Sequence, residues 1–338
     1  MFVFQGESAN QVWKEAVTAL QCVDRPVQTS RAGATREILT GAFVIEDPRQ
    51  RWVVEREPAL SVAFAIVEVI GLVNGRRDSH YLNYFNPALP RFAGDESEYH
   101  GAYGHRLRSH FGFDQIQRGF LALQSSPDSR QVVLEMWDPA NDFPSSNGTP
   151  AAPDIPCNIC SLLKIRNGQL HWTQLARSND LFRGVPYNFV QFTTLQEIIA
   201  GWLQCEVGSY THISDSLHLY EDTLEHAYSF ARLTVPQNRD LLNLPKPESD
   251  LCWRELNRLL EGFTDANVTE TALDSLARMN GFPESMSNLA KIVGADSARR
   301  HGYLALSVEL GNACSSEVLR LLWQRWLERK DAMAKSRT

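Results

Sequence analysis

An α+β fold with an all-helical C-terminal extension is the architecture that this sequence predicts, and three observations predict it. Residues 161–166 and 169–176 read as strands on either side of Asn167-Gly168, a dipeptide that favours the two-residue turn of a β-hairpin. Residues 58–75 read as a helix, with Pro58 near the first turn, Gly75 just past the end and an almost continuous apolar interior. Residues 250–332 are rich in Leu, Ala, Glu and Arg at helical spacing, as in Val318, Leu322 and Trp326. They follow a linker punctuated by Pro236, Pro245 and Pro247. The expected division is a mixed part over residues 1–235, a linker over 236–249 and a helical extension over 250–338.

Along the chain, the first 30 residues fit a helix followed by a loop. Residues 39–46 read as a strand, which Asp47-Pro48-Arg49 turns. Residues 76–129 are loop-rich with short helices, and 131–137 alternate as a strand does. Residues 189–206 fit a long helix by the spacing of Phe192, Leu195, Ile199 and Trp202, ended by Gly208, and 210–220 is extended. A helix apolar all round is normally buried, and Glu68 sits inside the one at 58–75. An ionised carboxylate there is costly unless it is paired or used. The plainer reading places Glu68 on the helix's one wet edge.

At 338 residues the chain can bury a substantial core, and its 43% hydrophobic and 22% charged content is ordinary for a globular protein. No apolar run is long enough to span a bilayer, and Met1-Phe2-Val3-Phe4-Gln5-Gly6 lacks the pattern of a signal peptide, so a cytoplasmic location is expected, without a membrane partner. The net charge of −7 argues against wholesale binding to nucleic acid, while leaving room for a small anion held by a few arginines. Cysteines 22, 157, 160, 205, 252 and 314 form no framework, as reduced thiols would not. Cys157-Asn158-Ile159-Cys160 has the C-x-x-C form but neither a second pair nor a histidine cluster, so no metal site is expected.

The residues able to carry chemistry cluster around the hairpin. Asp154-Ile155-Pro156-Cys157 precedes it, and Gln174-Leu175-Ala176-Arg177-Ser178 follows, then Asp180, Gly184 and Pro186-Tyr187-Asn188. A lone cysteine after proline means little, since buried cysteine is common and usually inert. Here it keeps company with a guanidinium able to hold it as thiolate and an amide able to read a base edge. This order and spacing resemble the core of the thymidylate synthase and nucleotide hydroxymethylase superfamily. Further patches carry the resemblance over about residues 25–232. Ser30-Arg31-Ala32-Gly33-Ala34-Thr35 resembles the family's phosphate-binding arginine loop, and Glu68 falls on its catalytic glutamate. Gly101-Ala102-Tyr103-Gly104 matches the active-site tyrosine loop, Asp128-Ser129-Arg130 the segment that reaches the partner's phosphate site, and His218-Leu219-Tyr220 the pair that binds the sugar.

The resemblance implies a mixed sheet flanked by helices, a pyrimidine nucleoside monophosphate as substrate, 5,10-methylenetetrahydrofolate as co-substrate and a homodimer. C5 of a pyrimidine is a poor nucleophile until something adds at C6. A thiolate adds well, but free cysteine has a pKa of ~8.5 and is mostly protonated at neutral pH. Arg177 beside Cys157 would favour the thiolate, and Glu68, with Tyr103 and His218, would organise the proton transfers. Arg31, Arg177 and Ser178, with Arg130 from a second subunit, would cradle the phosphate. Asn188 would read the base; its donor and acceptor complement O4 and N3–H of uracil, but a flipped amide leaves cytosine open. His218 and Tyr220 would hold the sugar, and Asp180 would anchor the folate ring. The rival readings are plain: solvated arginines, and a satisfied pair of strand residues at 218 and 220.

Several departures separate the sequence from an authentic thymidylate synthase. Asn158 stands where a histidine usually follows the cysteine, Gln131 replaces the second arginine of the intersubunit pair, and Ala88-Leu89-Pro90-Arg91-Phe92 has no tryptophan where the family's folate-facing segment is tryptophan-rich. Residues 250–338 take the place of the short tail that closes over folate. These losses touch folate and closure more than the nucleotide. Methyl transfer needs folate held tightly for a second, hydride-delivering step, whereas hydroxymethyl transfer needs only water. The expectation is therefore C5 hydroxymethylation, with authentic thymidylate synthesis as the closest rival and ribose as plausible as deoxyribose. A nucleotide-binding paralogue without turnover, its helical tail binding a partner, is the rival from another class. A cysteine hydrolase is weaker, because no histidine is placed for a Cys–His pair.

Overall fold

The computed structural model describes residues 1–21, 27–30, 33–224 and 229–335. Seven strands form one mixed sheet in the order β1-β3-β7-β6-β5-β4, with β2 paired to β3. They are β1 (Phe2–Gly6), β2 (Gln28–Ser30), β3 (Gly33–Ile45), β4 (Val133–Glu135), β5 (Asn158–Arg166), β6 (Gln169–Asp180) and β7 (Glu206–Tyr220). β1 runs parallel to β3 and β6 parallel to β7, while β3–β7, β5–β6 and β4–β5 are antiparallel. The expected hairpin closes at Asn167-Gly168, whose φ values of 52° and 74° are those its turn type demands.

Two long helices build the layer behind the sheet. Helix α1 (Ala9–Gln21) covers β1 and β3, and α8 (Val185–Leu203) packs on β6 and β7. Helix α2 (Val62–Asn74) lies on α8, and nearly every side chain on it is buried, as its apolar composition requires. Gly75 ends α2 in the left-handed conformation at φ 73°, its N–H returning to carbonyls of the last turn. Between α2 and β5 come the short helices α3 (His80–Phe85), α4 (Pro90–Ala93), α5 (Tyr103–His105), α6 (Gln115–Ser125) and α7 (Pro139–Asp142).

The extension forms five helices: α9 (Lys246–Thr264), α10 (Glu270–Arg278), α11 (Glu284–Arg300), α12 (Leu304–Ala313) and α13 (Glu317–Lys335). Three of them, α9, α11 and α13, pack on α2, so one apolar core runs from the sheet through α8 and α2 into the extension.

Strands β3, β5, β6 and β7 run three to six residues beyond their expected limits, and four further elements differ from the sequence expectation. Strand β1 precedes α1, where only helix and loop were expected; its signal is five residues long and its partner lies on β3, at Gly41–Ile45 in register. Helix α2 starts at Val62 rather than Pro58, because Pro58 and Ala59 turn their carbonyls to Arg56 and Arg329. Helix α8 spans 185–203, with Pro186 in its first turn and Gln204 in the left-handed conformation ending it; Gly208 lies within β7. The strand expected over 131–137 is regular only at 133–135, with backbone bonds from Leu163 to Val132 and from Met136 and Trp137 to Ile159 continuing irregularly on either side.

Candidate active site

The start of β5, the end of β6 and the buried faces of α2 and α8 converge on a cleft of about 2050 Å³. Cys157 stands one residue before β5, half-buried, as a thiol outside any disulfide. Arg177, on β6, donates its backbone N–H to the Cys157 carbonyl at 2.9 Å. Its guanidinium reaches back along the loop, Nε to the Pro156 carbonyl at 2.9 Å and one terminal nitrogen to the Ile155 carbonyl at 3.2 Å. That nitrogen lies 4.0 Å from Cys157 Sγ, and the guanidinium also sits 5.5 Å from the Trp137 ring centre. A positive charge is thus fixed beside the sulfur by backbone acceptors, which favours a thiolate there.

Glu68 enters the cleft from α2. Its residue surface is partly open, but carboxyl oxygen Oε2 is fully enclosed and, among the described residues, has no hydrogen-bond partner. Burial pushes its pKa from the ordinary value up to about 8, only partly offset by a hydrogen bond with Gln191. Tyr103 lies in the same cleft, hydrogen-bonded with Asn158, and burial raises its phenol well above the ordinary range. The Tyr103 loop approaches α2 closely because Gly104 lacks a side chain: a Cβ there would meet the Gly71 carbonyl oxygen at 2.5 Å.

Asn188, on α8, is buried at the cleft wall and is the end of a chain of amides. Trp172 Nε1 and Ser161 Oγ donate to Gln174 Oε1 at 3.2 and 2.6 Å. Gln174 Nε2 donates to Asn158 Oδ1 at 3.0 Å, and Asn158 Nδ2 to Asn188 Oδ1 at 3.3 Å. Asn179 Nδ2 also donates to Asn188 Oδ1, at 2.9 Å, and shares its other proton with His212 Nε2 at 3.0 Å. His212 is neutral, since burial drops its pKa to about 3. An indole N–H can only donate. Trp172 therefore sets the direction of every amide after it, and Asn188 is left with Oδ1 facing the interior and Nδ2 free to turn to the cleft and to Gln191 Oε1 at 3.4 Å.

The remaining expected residues divide as follows. Ser178, His218 and Tyr220 line the cleft, with Ser178 Oγ 3.4 Å from His218 Nδ1 and the His218 and Tyr220 rings 5.4 Å apart, edge to face. Asp180 lines it too: Oδ1 accepts the N–H groups of Phe182 and Arg183 at 2.7 and 2.9 Å, while buried Oδ2 has no hydrogen bond. Burial raises its pKa, and the N–H donors and His218 oppose the rise. Arg130 is exposed and is not part of the cleft wall of its own chain. Arg31 lies outside the described residues. Among the described residues no group of His, Cys, Asp and Glu is arranged to hold a metal ion.

Several cleft residues escaped the sequence reading. Gln191 follows Asn188 by one helical turn, a spacing that would have found it. Asn158 stands in the sequence only as a departure and Gln174 only as part of the matching stretch, while Asn179 carries no signal there of its own. Arg56, Trp326, Arg329 and Lys330 also line the cleft, brought there from outside the hairpin region by folding alone.

Comparison with known proteins gives consistent results. The family model described as thymidylate synthase matches residues 45–250, more than half of the chain. A deoxyuridylate hydroxymethyltransferase of Bacillus phage SP01 is 28% identical over 287 residues, covering 78% of this chain and 73% of that protein. A deoxyuridylate hydroxymethyltransferase of Pseudomonas phage M6 is 33% identical over 190 residues, covering 56% of this chain and 53%, about half, of the relative's length. Among solved structures, thymidylate synthase from T4 phage superposes with a TM-score of 0.52 at 21% identity, over 63% of this chain and 77% of that one, a likeness of fold.

Proposed function

The chain belongs to the thymidylate synthase family, and on that premise we propose that it hydroxymethylates C5 of a uridine monophosphate, with 5,10-methylenetetrahydrofolate supplying the one-carbon unit. The observation that carries the reading is the thiol of Cys157 held 4.0 Å from the Arg177 guanidinium, in a cleft that also contains Glu68 and Asn188. In this reading the Cys157 thiolate adds to C6 of the pyrimidine, which makes C5 nucleophilic; C5 would bond to the one-carbon unit and lose its proton, tetrahydrofolate would leave, and hydroxide from water would add to the exocyclic carbon as the sulfur departs from C6 and the ring is restored. Glu68, protonated at neutral pH, supplies and takes back protons at the base, with Tyr103 and His218 beside it. Arg31, Arg177 and Ser178, with Arg130 of a second subunit, hold the phosphate, and His218 and Tyr220 the sugar. In this reading the protein is cytoplasmic and acts as a homodimer, since Arg130 is exposed and does not line the cleft of its own chain.

The choice of uracil rests on the direction of the amide chain. With Oδ1 of Asn188 occupied by Asn158 and Asn179, the group offered to the base is an N–H. That complements the O4 carbonyl of uracil and opposes the amino group of cytosine. The cleft also fits the co-substrate: among the described residues the enclosed atoms Asp180 Oδ2 and Glu68 Oε2 accept no hydrogen bond, Arg183 standing 3.9 Å from the former, and Phe92 presents an exposed ring on the same wall. Asp180 would take a ring N–H of the pterin. Hydroxymethyl rather than methyl transfer is favoured by the tryptophan-free segment 88–92 and by the names of the two phage relatives. A mass spectrum of the product from dUMP, UMP, dCMP and CMP tests the reading. A hydroxymethylated uridylate is expected; a methylated one with release of dihydrofolate would instead make the protein a thymidylate synthase.

A further inference from the structure

The C-terminal helix brings three cations, Arg325, Arg329 and Lys330, and one carboxylate, Glu328, to this cleft. Arg325, Trp326, Arg329 and Lys330, one face of the last described turns of α13, line it together with Arg56. Arg325 is spoken for by Glu57, and the buried carboxylate of Asp296 by Arg299 and Arg300. Arg56, Arg329 and Lys330 have no carboxylate within ion-pairing distance among the described residues. Arg56 is 5% exposed, spends Nε on the Phe182 carbonyl at 3.0 Å and a terminal nitrogen on the Pro58 carbonyl at 2.7 Å, and stacks 3.9 Å over the Phe182 ring. Arg329 donates to the Ala59 carbonyl at 2.8 Å. Arg329 and Lys330 both sit against the Trp326 ring, 4.9 and 4.2 Å from its centre, so the indole fixes where the two charges stand.

Keeping such cations together is costly. Burial and the neighbouring Arg329 and Arg183 lower the pKa of Arg56 to about 10, and burial with Arg299 and Arg329 lowers that of Lys330 to about 8. In a chain of net charge −7, three such groups facing one cavity call for an anion that arrives with a ligand. In the proposed function the nucleotide's phosphate has its own donors at Arg177 and Ser178, and beside Phe92 the cleft offers only Arg91 and an Arg183 already paired with Asp222.

We propose that Arg329 and Lys330 of α13, backed by Arg56 and positioned by Trp326, bind the glutamyl carboxylates of the folate co-substrate, making the C-terminal extension part of the co-substrate site. This rests on the functional reading above. The shared chemistry, an anion on a guanidinium and an ammonium, could also be met by the nucleotide's phosphate, and the test separates the two. Binding of dUMP, and of tetrahydrofolate carrying one or several γ-linked glutamates with dUMP present, is measured by calorimetry for the full-length wild type, Lys330→Gln and Arg329→Gln/Lys330→Gln. Among the described residues Lys330 makes no hydrogen bond, so its single replacement remains informative if the double variant folds poorly.

The double variant is expected to bind tetrahydrofolate roughly tenfold more weakly, to lose the gain from extra glutamates, and to hold dUMP as the wild type does. Unchanged tetrahydrofolate affinity in both variants would overturn the assignment while leaving the functional reading intact. Weakened dUMP binding with unaltered tetrahydrofolate binding would reassign the cluster to the phosphate. A wild type that binds dUMP but no form of tetrahydrofolate would sink both the assignment and the reading beneath it.

Discussion

At Glu68, helix α2 holds a carboxyl whose Oε2 has neither solvent nor a donor. Its folded pKa of about 8 lies above the ordinary carboxyl value, so between the two the native protein keeps a proton that the unfolded chain has lost. Stability should therefore fall as pH rises through that window, and Glu68→Gln should not show the fall, which thermal unfolding from pH 5 to pH 9 would reveal. Turnover by the wild type should decline as pH passes about 8, where the proton donor ionises. At Asn188, aspartate would keep the bonds from Asn158 and Asn179 but replace the N–H offered to the base with an acceptor. Asn188→Asp should lower the preference for uridylate over cytidylate by roughly 100-fold or more, read from paired kcat/KM values. That Cys157, Arg177, Glu68 and Asn188 would share one cleft was legible in the sequence, because their order and spacing match the family pattern. Gln174 and Arg56 were not, because glutamine and arginine are common and their meaning here lies in contacts made across the sheet or between distant segments.

At the scale of elements, α8 does two jobs. Its outer turn offers Asn188 and Gln191 to the cleft, and its inner turns carry Glu197, wholly buried and ion-paired with buried Arg51. Glu197 Oε1 also accepts the N–H of Leu242, and Thr194 Oγ1 lies 2.8 Å from Arg51, so this helix pins the linker before α9. Glu197→Ala would leave a buried guanidinium unpaired, and chemical denaturation should show a loss of about 3–5 kcal/mol. The hairpin and α2 could be foreseen because turn chemistry and apolar composition act locally. Strand β1 could not: its pairing with β3 depends on a partner some forty positions away, which five residues cannot announce.

For the molecule as a whole, the apolar core is continuous from the sheet to α13, and the cleft takes its walls from both ends of the chain. The sequence revealed the helices of the extension through their periodicity. It did not reveal that α13 returns to the cleft, since that follows from packing on α2. If Arg130 completes a neighbour's site, the protein should sediment as a dimer, and mixing the separately inactive Cys157→Ala and Arg130→Ala proteins should restore part of the activity. A strictly monomeric active enzyme would contradict the shared site.

The most direct test of the central claim is release of tritium from C5-labelled dUMP in the presence of 5,10-methylenetetrahydrofolate, followed by mass analysis of the product. The wild type should release tritium and yield 5-hydroxymethyl-dUMP, and Cys157→Ala should do neither while still binding the nucleotide. Tritium release by Cys157→Ala at the wild-type rate would show that the sulfur is not the attacking group.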